Sequence, residues 1–289
     1  MTPFTFYQPR DLQDALKALA DCSSPVKVIA GGQSLLLALK ERLARPARLV
    51  SISALPALKG IGINAAGELE VGAATTYAAL AKAKLSGWHT QIALVCGNIA
   101  DISVRSVGTI GGGACQAEPR YDIPTLLTVA DAVMHVVSVN GERKIPARDF
   151  FNKQGGTHMD AAELLTTITF PPGDALSTLA FEKFQFRVFD AAIVTAACAI
   201  RLTGDGAIAA AKFVVGAVDL APSTAAAAAQ SLIGRRISEL QAGEVGKLIA
   251  AEVLPLAKRA DHHRRYQAEL VISLISKALV RSGATKAEH

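Results

Sequence analysis

The stretch Val28-Ile29-Ala30-Gly31-Gly32-Gln33-Ser34-Leu35-Leu36 decides the fold of the N-terminal part of the chain. Its first residues have the β-branched, apolar composition of a strand, and the pair of glycines ends that strand. A helix-forming run from Leu35 to Leu43 follows and ends before Pro46, and Leu49 to Ile52 is typical of a second strand. The predicted order is therefore strand, glycine turn, helix and strand.

A second glycine segment, Thr109-Ile110-Gly111-Gly112-Gly113, lies within residues 101–122, which are polar and aperiodic and which we interpret as a long functional loop. Glycine lets backbone N–H groups approach an anion closely, and such groups at the start of a helix bind phosphate. Two segments of this kind would clamp a pyrophosphate, although each is also explained by a tight turn. Neither contains G-x-x-x-x-G-K-[ST], G-x-G-x-x-G or G-x-S-x-G. The residues alone predict a phosphorylated cofactor.

The rest of the chain divides at Pro171-Pro172-Gly173, the clearest linker signal. Before it we predict a helix at 11–20 capped by Asp11, a hairpin at 61–73, helices near 75–84 and 90–100, and strands at 133–139 and 163–170. After it we predict a strand near 179–186, a hairpin that joins 191–203 to 207–218 through Asp205-Gly206, and helices near 223–233, 244–259 and 262–281.

Composition excludes several classes of function. The chain has 289 residues, of which 51% are hydrophobic and 19% charged, and no apolar run is long enough to span a bilayer. The N-terminus lacks the layout of a signal peptide, so we expect a cytoplasmic protein. Only 5% of residues are aromatic and the net charge is +5, which argues against nucleic-acid binding.

Metal binding by this chain is also not expected. The four cysteines, Cys22, Cys96, Cys115 and Cys198, form no C-x-x-C pair, and we interpret them as reduced, buried thiols. The six histidines have no ligand spacing. Two basic clusters are interpreted either as solvated helix faces or as surfaces for docking a subunit. Their members are Arg42, Arg45 and Arg48 in one, and Lys258, Arg259, Arg264 and Arg265 in the other.

The order of the segments resembles the FAD-binding medium subunit of the xanthine dehydrogenase and carbon monoxide dehydrogenase family of molybdenum hydroxylases. Both glycine segments carry the resemblance, each with its flanking residues. So do Phe6-Tyr7-Gln8-Pro9, Arg42-Leu43-Ala44-Arg45-Pro46, Glu118-Pro119 with Asp122-Ile123-Pro124, and Phe181-Glu182-Lys183-Phe184. The resemblance covers nearly the whole chain, and the paired loops in this order are specific.

The resemblance implies a set of cofactor contacts. Val28, Ile29, Ala30, Gly31, Gly32, Gln33, Ser34 and Leu35 wrap the FAD pyrophosphate, and Thr109, Ile110, Gly111, Gly112 and Gly113 close its other side. Asp122 bonds a sugar or ribityl hydroxyl, or alternatively caps a helix. Ile99 and Leu165 pack against flavin or adenine, or belong to the ordinary core. Lys183 approaches the flavin ring, or is a surface lysine. Gly113 departs from the family, which more often has Asn there.

The implied fold is α+β. A two-lobed FAD-binding domain of the vanillyl-alcohol-oxidase (PCMH) type occupies residues 1–173, with lobes of about 1–57 and 58–173. A C-terminal domain with a small antiparallel sheet and helices occupies 174–289.

The implied function is electron relay. FAD accepts electrons from two [2Fe–2S] clusters of a small partner subunit, while a large partner subunit holds the molybdenum cofactor, and the assembly is a dimer of heterotrimers. We name no catalytic residue. The alternatives are a self-sufficient flavin oxidase of the same fold and a flavin-free scaffold. The substrate stays open among purines, N-heterocycles, aldehydes, carbon monoxide and others, as does the external acceptor.

Overall fold

A computed structural model describes residues 3–21, 25–174, 178–255 and 262–282 of the chain. The N-terminal unit is a three-stranded parallel sheet of order β1-β3-β2 with two helices. Its elements are Thr5–Tyr7 (β1), Leu12–Ala20 (α1), Val26–Ile29 (β2), Leu35–Lys40 (α2) and Arg48–Ser51 (β3). Asp11 caps α1 as predicted, since its carboxylate accepts the N–H of Asp14. The helix α1 then packs Leu16 and Leu19 into a core that includes Val50.

The second unit is a five-stranded antiparallel sheet of order β4-β5-β8-β6-β7. Its strands are Ile61–Ile63 (β4), Leu69–Gly72 (β5), Val133–Ser138 (β6), Gly141–Pro146 (β7) and Leu164–Phe170 (β8). Between β5 and β6 the chain forms Tyr77–Ala81 (α3), Thr90–Gly97 (α4), Ile102–Val107 (α5), Ile110–Gln116 (α6) and Asp122–Val129 (α7), and Ala147–Phe150 (α8) follows β7. The hairpin at 61–73 is confirmed, with Gly67 at φ +78° in its turn.

The prediction of a long loop at 101–122 is wrong, because α5 and α6 lie within it and α7 begins at its end. Asp101 caps α5 by accepting the N–H of Val104, and Thr109 caps α6 by accepting the N–H of Gly112. Glycine disfavours helix, but in α6 it also permits close packing. A Cβ on Gly111 would lie 2.6 Å from the Ala73 carbonyl oxygen. Tertiary contact thus overrides propensity here.

The third unit is a four-stranded antiparallel sheet of order β12-β11-β10-β9. Its strands are Thr178–Phe184 (β9), Val194–Leu202 (β10), Ile208–Gly216 (β11) and Ser223–Thr224 (β12), and its helices are Ala226–Leu232 (α9), Ala242–Val253 (α10) and His262–Arg281 (α11). Residues 256–259 of the helix predicted at 244–259 lie outside the described residues. The mixture of sheets and helices confirms the α+β class, while the division of the chain at residue 173 stays a prediction.

The third sheet packs between two layers. Its side chains Cys198 and Phe213 share a core with α9, α10 and α11. Ala197 and Val214 point to the opposite face and join the core of the second unit. There the Thr125 hydroxyl of α7 bonds that of Thr195 at 2.8 Å, and both residues are fully buried.

Side-chain contacts from the second unit fix the position of the proline linker, Pro171-Pro172-Gly173. The Trp88 indole N–H donates to the Pro172 carbonyl at 2.9 Å, and the His89 ring Nε2 lies 2.7 Å from the Pro171 carbonyl. Both side chains are buried. The chain therefore leaves the second unit in a set direction.

Candidate functional site

The first glycine loop, residues 30–34, lies between the end of β2 and the start of α2. Gly32 has a φ of +69°, which a residue with a Cβ adopts only with strain. Among the described residues, no hydrogen-bond acceptor meets the backbone N–H groups of residues 31–35. These five residues are half-buried, and consecutive N–H groups without a protein acceptor before a helix can bind phosphate.

The second glycine segment differs from the first, because its N–H groups are already used. Ile110 N–H donates to Thr75 O at 3.1 Å, Gly111 N–H to Ala73 O at 2.9 Å, Gly112 N–H to Thr109 Oγ1 at 3.1 Å and Gly113 N–H to Thr109 O at 3.0 Å. Only the bond at Gly112 is to a side chain that is free to turn away. The prediction that this segment closes one side of a pyrophosphate therefore depends on Gly112. Gly112 is exposed, so a ligand can approach its backbone closely.

The fold brings the two glycine segments together. A Cβ built on Gly31 would lie 2.0 Å from the Val107 carbonyl oxygen and 2.8 Å from the Gly108 Cα, so the two backbones touch at a point that only glycine permits. The Ser34 hydroxyl lies 3.3 Å from the hydroxyl of Tyr121, directly before α7. Ser34 does not cap α2 with its side chain. Its hydroxyl therefore faces the same side as α7.

Two further predicted site residues, Lys183 and Asp122, bind each other. The Lys183 ammonium, on β9, donates to Asp122 Oδ2 at 2.6 Å and to the Asn98 carbonyl at 2.9 Å. Their side chains are 17% and 7% exposed, so the pair is largely removed from water. Asp122 begins α7, whose N-cap position belongs to Tyr121. Lys183 thus ties the third sheet to both α4 and α7.

Burial sets the electrostatics of this pair. Loss of solvation raises the pKa of the Asp122 carboxyl, and the charge and hydrogen bond of Lys183 oppose that rise. The other carboxylate oxygen, Oδ1, has no hydrogen-bond partner among the described residues. It is therefore free to accept a hydroxyl from a ligand.

Arg105 supports the neighbouring turn. Its guanidinium donates to the carbonyls of Ile99 at 2.9 Å and Ala100 at 2.6 Å, and Ala100 has a φ of +42°. Ile99 is half-buried and packs against the core of the second unit. Leu165 is 2% exposed inside that core, so protein neighbours already cover it. Ile110, another predicted site residue, is 0% exposed in the same core, so the side chains of Ile110 and Leu165 are both covered by protein.

Sequence reasoning missed three contributors to this region: Tyr121, Asn98 and Arg105. Asn98 acts through its backbone carbonyl, which no residue pattern reveals. Arg105 lies on α5, before the second glycine segment, and it bonds the carbonyls of Ile99 and Ala100 that precede this helix, a contact that depends on α5 forming. Tyr121 directly precedes Asp122, and its proximity to Ser34 follows only from the packing of α7 against the first loop.

Other predicted features have ordinary surroundings. Within the described residues, no group of three His, Cys, Asp or Glu side chains could hold a metal ion. Cys96 and Cys198 are buried and unpaired as predicted, Cys115 is unpaired but exposed and so departs from the prediction of a buried thiol, and Cys22 lies outside the described residues. In the basic clusters Arg48 pairs with Asp21 at 3.3 Å and Arg264 donates to the Val218 carbonyl at 2.9 Å, while Lys258 and Arg259 lie outside the described part. No described helix combines the length and apolarity needed to cross a membrane.

Comparison with known proteins gives the class of this chain. Residues 2–173 match the family model described as the FAD binding domain in molybdopterin dehydrogenase, and residues 179–282 match the CO dehydrogenase flavoprotein C-terminal domain. The glyceraldehyde dehydrogenase medium chain of Sulfolobus acidocaldarius is 30% identical over 95% of this chain and 96% of its own. The carbon monoxide dehydrogenase medium chain of Afipia carboxidovorans is 28% identical over 97% of each.

Solved structures agree with these matches. Quinoline 2-oxidoreductase from Pseudomonas putida 86 superposes with a TM-score of 0.87 at 30% identity, covering 98% of this chain and 99% of that one. CO dehydrogenase from Oligotropha carboxidovorans gives a TM-score of 0.87 at 28% identity, with 98% of each chain covered. The chain belongs to the family of FAD-binding subunits of the CO dehydrogenase and xanthine dehydrogenase type of molybdenum hydroxylase. The predicted family is therefore confirmed.

Proposed function

We propose that this chain holds FAD as an electron relay, accepting electrons from a [2Fe–2S] cluster of a partner subunit and passing them to an external acceptor. The observation that carries this proposal is the first glycine loop, where the N–H groups of residues 31–35 have no acceptor among the described residues. Consecutive N–H groups without a protein acceptor, directly before a helix, are suited to an anionic ligand.

The residues present fit the diphosphate of FAD. The N–H groups of the first loop and the Ser34 hydroxyl would hold it, and Gly112 would allow close approach from the second segment. Val28, Ile29, Ala30 and Leu35 flank the loop and are half-buried, which suits a partly apolar ligand. FAD, when bound, supplies redox chemistry that can exchange both single electrons and electron pairs.

The pair formed by Lys183 and Asp122 would serve the sugar and ring portions of the cofactor. Asp122 Oδ1 is the acceptor for a ribityl or ribose hydroxyl, as the resemblance implies. Asp122 Oδ2 fixes Lys183, so the ammonium is held by two contacts, at 2.6 Å and 2.9 Å. A cation in a fixed position favours negative charge nearby, and this would tune the cofactor's reduction potential.

The partners are proposed from the relatives. They are named as medium chains or FAD-binding subunits of dehydrogenases, and one as a subunit of a dehydrogenase complex. We propose that this chain docks with a small iron–sulfur subunit and a large subunit that holds the molybdenum cofactor, as a dimer of heterotrimers in the cytoplasm. The substrate would then be bound by the large subunit, and this chain does not identify it.

Electron delivery tests the relay directly. The full chain is purified, its flavin content is measured after acid precipitation, and the chain is mixed anaerobically with quinoline, xanthine, glyceraldehyde or carbon monoxide. We expect stoichiometric FAD in the supernatant, because neither glycine segment contains a histidine or cysteine for covalent attachment, and no bleaching of the flavin by any of these compounds. Mixing with the dithionite-reduced iron–sulfur subunit, freed of excess reductant, should bleach the flavin rapidly.

Each rival gives a different result. Rapid bleaching by one of the four compounds without partners would show a self-sufficient oxidase. A purified chain that contains no FAD and does not take it up would show a scaffold. Flavin that stays oxidised in the presence of the reduced iron–sulfur subunit would contradict the relay itself.

A further inference from the structure

The hydroxyl of Tyr121 lies beside the hydroxyl of Ser34, which belongs to the first glycine loop. Tyr121 OH and Ser34 Oγ are 3.3 Å apart, a long distance for two hydroxyls, which usually bond at about 2.7–2.8 Å. The pair therefore gains little from bonding each other. Either hydroxyl can turn its hydrogen toward a stronger acceptor placed next to both.

The backbone holds Tyr121 in this position. Its N–H donates to the Glu118 carbonyl at 3.0 Å, and its extended conformation, with φ −86° and ψ 153°, begins α7. Its side chain makes no capping bond to that helix. The ring is half-buried, so its orientation is restricted while its hydroxyl stays accessible.

We propose that Tyr121 is a further binding residue for the FAD diphosphate, donating its hydroxyl hydrogen bond together with Ser34. This inference rests on the proposed function. The Lys183 ammonium is already paired with Asp122. A neutral hydroxyl, and not this cation, is therefore the donor that we assign to the diphosphate. Backbone N–H groups and two hydroxyls then share the phosphate charge, and each bond to a charged oxygen is stronger than a neutral one.

The test is Tyr121→Phe in the full chain, with the flavin removed and FAD titrated back by fluorescence quenching. A lost hydrogen bond to a charged group contributes roughly 1.5–3 kcal/mol, so the dissociation constant for FAD should rise at least about tenfold. The melting temperature of the flavin-free protein should not change, because the 3.3 Å bond to Ser34 is weak. Combining Tyr121→Phe with Ser34→Ala should weaken binding by less than the product of the single effects.

Tyr7→Phe is the matched control. Tyr7 OH also makes one side-chain hydrogen bond, to Asp14 Oδ1 at 2.7 Å, but Tyr7 lies on β1, at the sheet edge opposite β2 and the first glycine loop, so its loss should leave FAD affinity unchanged. Unchanged FAD affinity in Tyr121→Phe would overturn the inference, as would weakened affinity accompanied by a lower melting temperature of the flavin-free protein. Wild-type protein that binds no FAD would instead contradict the proposed function.

Discussion

At the scale of single residues, Lys183 and Asp122 form an ion pair that is largely removed from water, with side chains 17% and 7% exposed. A buried carboxylate is tolerated when a cation lies against it, and removing one partner leaves the other uncompensated. Asp122 is 7% exposed, and this burial raises the pKa of its carboxyl although the Lys183 ammonium lies beside it. The pair therefore matters to stability as well as to the proposed cofactor.

We predict that Lys183→Met lowers the free energy of unfolding by about 3–5 kcal/mol near neutral pH. Without the ammonium the pKa of Asp122 rises further, because the ionised carboxylate is then buried without a cation. The variant therefore loses stability only where Asp122 is ionised. The loss should therefore be largest above the folded-state pKa and shrink as the pH falls toward the unfolded value of 3.8. Urea unfolding of the flavin-free chain near neutral pH and at about pH 5 measures it.

Lys212→Met serves as the control for this prediction. Lys212 pairs with Asp131, whose side chain is 64% exposed, so its loss should cost no more than about 1 kcal/mol at either pH. Adding Asp122→Asn to Lys183→Met should recover much of the stability. Equal losses in the two lysine variants would show that burial of Asp122 carries no penalty.

At the scale of elements, the glycines of α6 serve different purposes. Gly113 meets the Tyr77 hydroxyl, where a Cβ would lie at 2.2 Å, so the ring of Tyr77 fills the space that the family's Asn needs. Gly111 packs against Ala73. At Gly112 a Cβ would meet only Thr109 Oγ1, at 2.8 Å. Gly112 is thus the position in α6 that protein packing explains least.

We predict that Gly112→Ala weakens FAD binding while leaving the melting temperature of the flavin-free protein within a few degrees of wild type. The alanine gains about 0.5–1 kcal/mol of helix propensity and loses some of the Thr109 cap. Gly111→Ala should instead lower stability by about 1–3 kcal/mol through overpacking. Thermal unfolding and FAD titration of both variants separate the two roles. Full FAD affinity in Gly112→Ala would show that the second segment does not approach the cofactor.

The elements that the sequence predicted well carry either a polar face or a clear turn signal. The hairpin at 61–73 and α11 have a polar side facing water, which gives their residues a readable period. The hairpin of β10 and β11 is buried on both faces, and its turn at Asp205-Gly206 marks it in the sequence. The helix α7 was not predicted, because all of its residues are buried and it shows no polar face. The strand β7 was not predicted either, since four of its six residues are exposed and charged or small.

The same limit applies to the candidate site. Glycine pairs are easily recognised in a sequence. The close approach of Gly31 to Val107 is consistent with the prediction that the two segments lie together. That the N–H groups of Ile110 and Gly111 are already bonded could not be predicted, because their acceptors, the carbonyls of Thr75 and Ala73, are distant in the sequence. The contact between Ser34 and Tyr121 depends likewise on how α7 packs.

At the scale of the whole molecule, α7 joins the second unit to the third sheet. The contact has no spare volume, because a Cβ on Gly216 would lie 2.1 Å from Thr125 Oγ1 and 2.4 Å from Thr195 Oγ1. Those hydroxyls bond each other in a fully buried position. Any widening of this contact also moves β9, which carries Lys183.

We predict that Gly216→Ala destabilises the protein by at least about 1–3 kcal/mol and also weakens FAD retention. The added methyl group must push α7 away from the sheet or break the bond between the threonines. Gly204→Ala is the control, since a Cβ there meets nothing within 4 Å. Thermal unfolding with and without FAD measures both effects. A variant as stable as wild type would mean that the contact between α7 and the third sheet can accommodate an added methyl group.

The hydrogen bonds that hold the proline linker to Trp88 and His89 bear on how the gene can be cut and recombined. The linker invites a junction for chimaeras, since it separates the two family matches. A graft at that junction inherits its angle of entry from Trp88 and His89, which stay with the N-terminal donor. It must also bring a cation at position 183, or Asp122 of the N-terminal donor is left buried without its partner. Successful exchange therefore requires compatible donors on both sides of the splice.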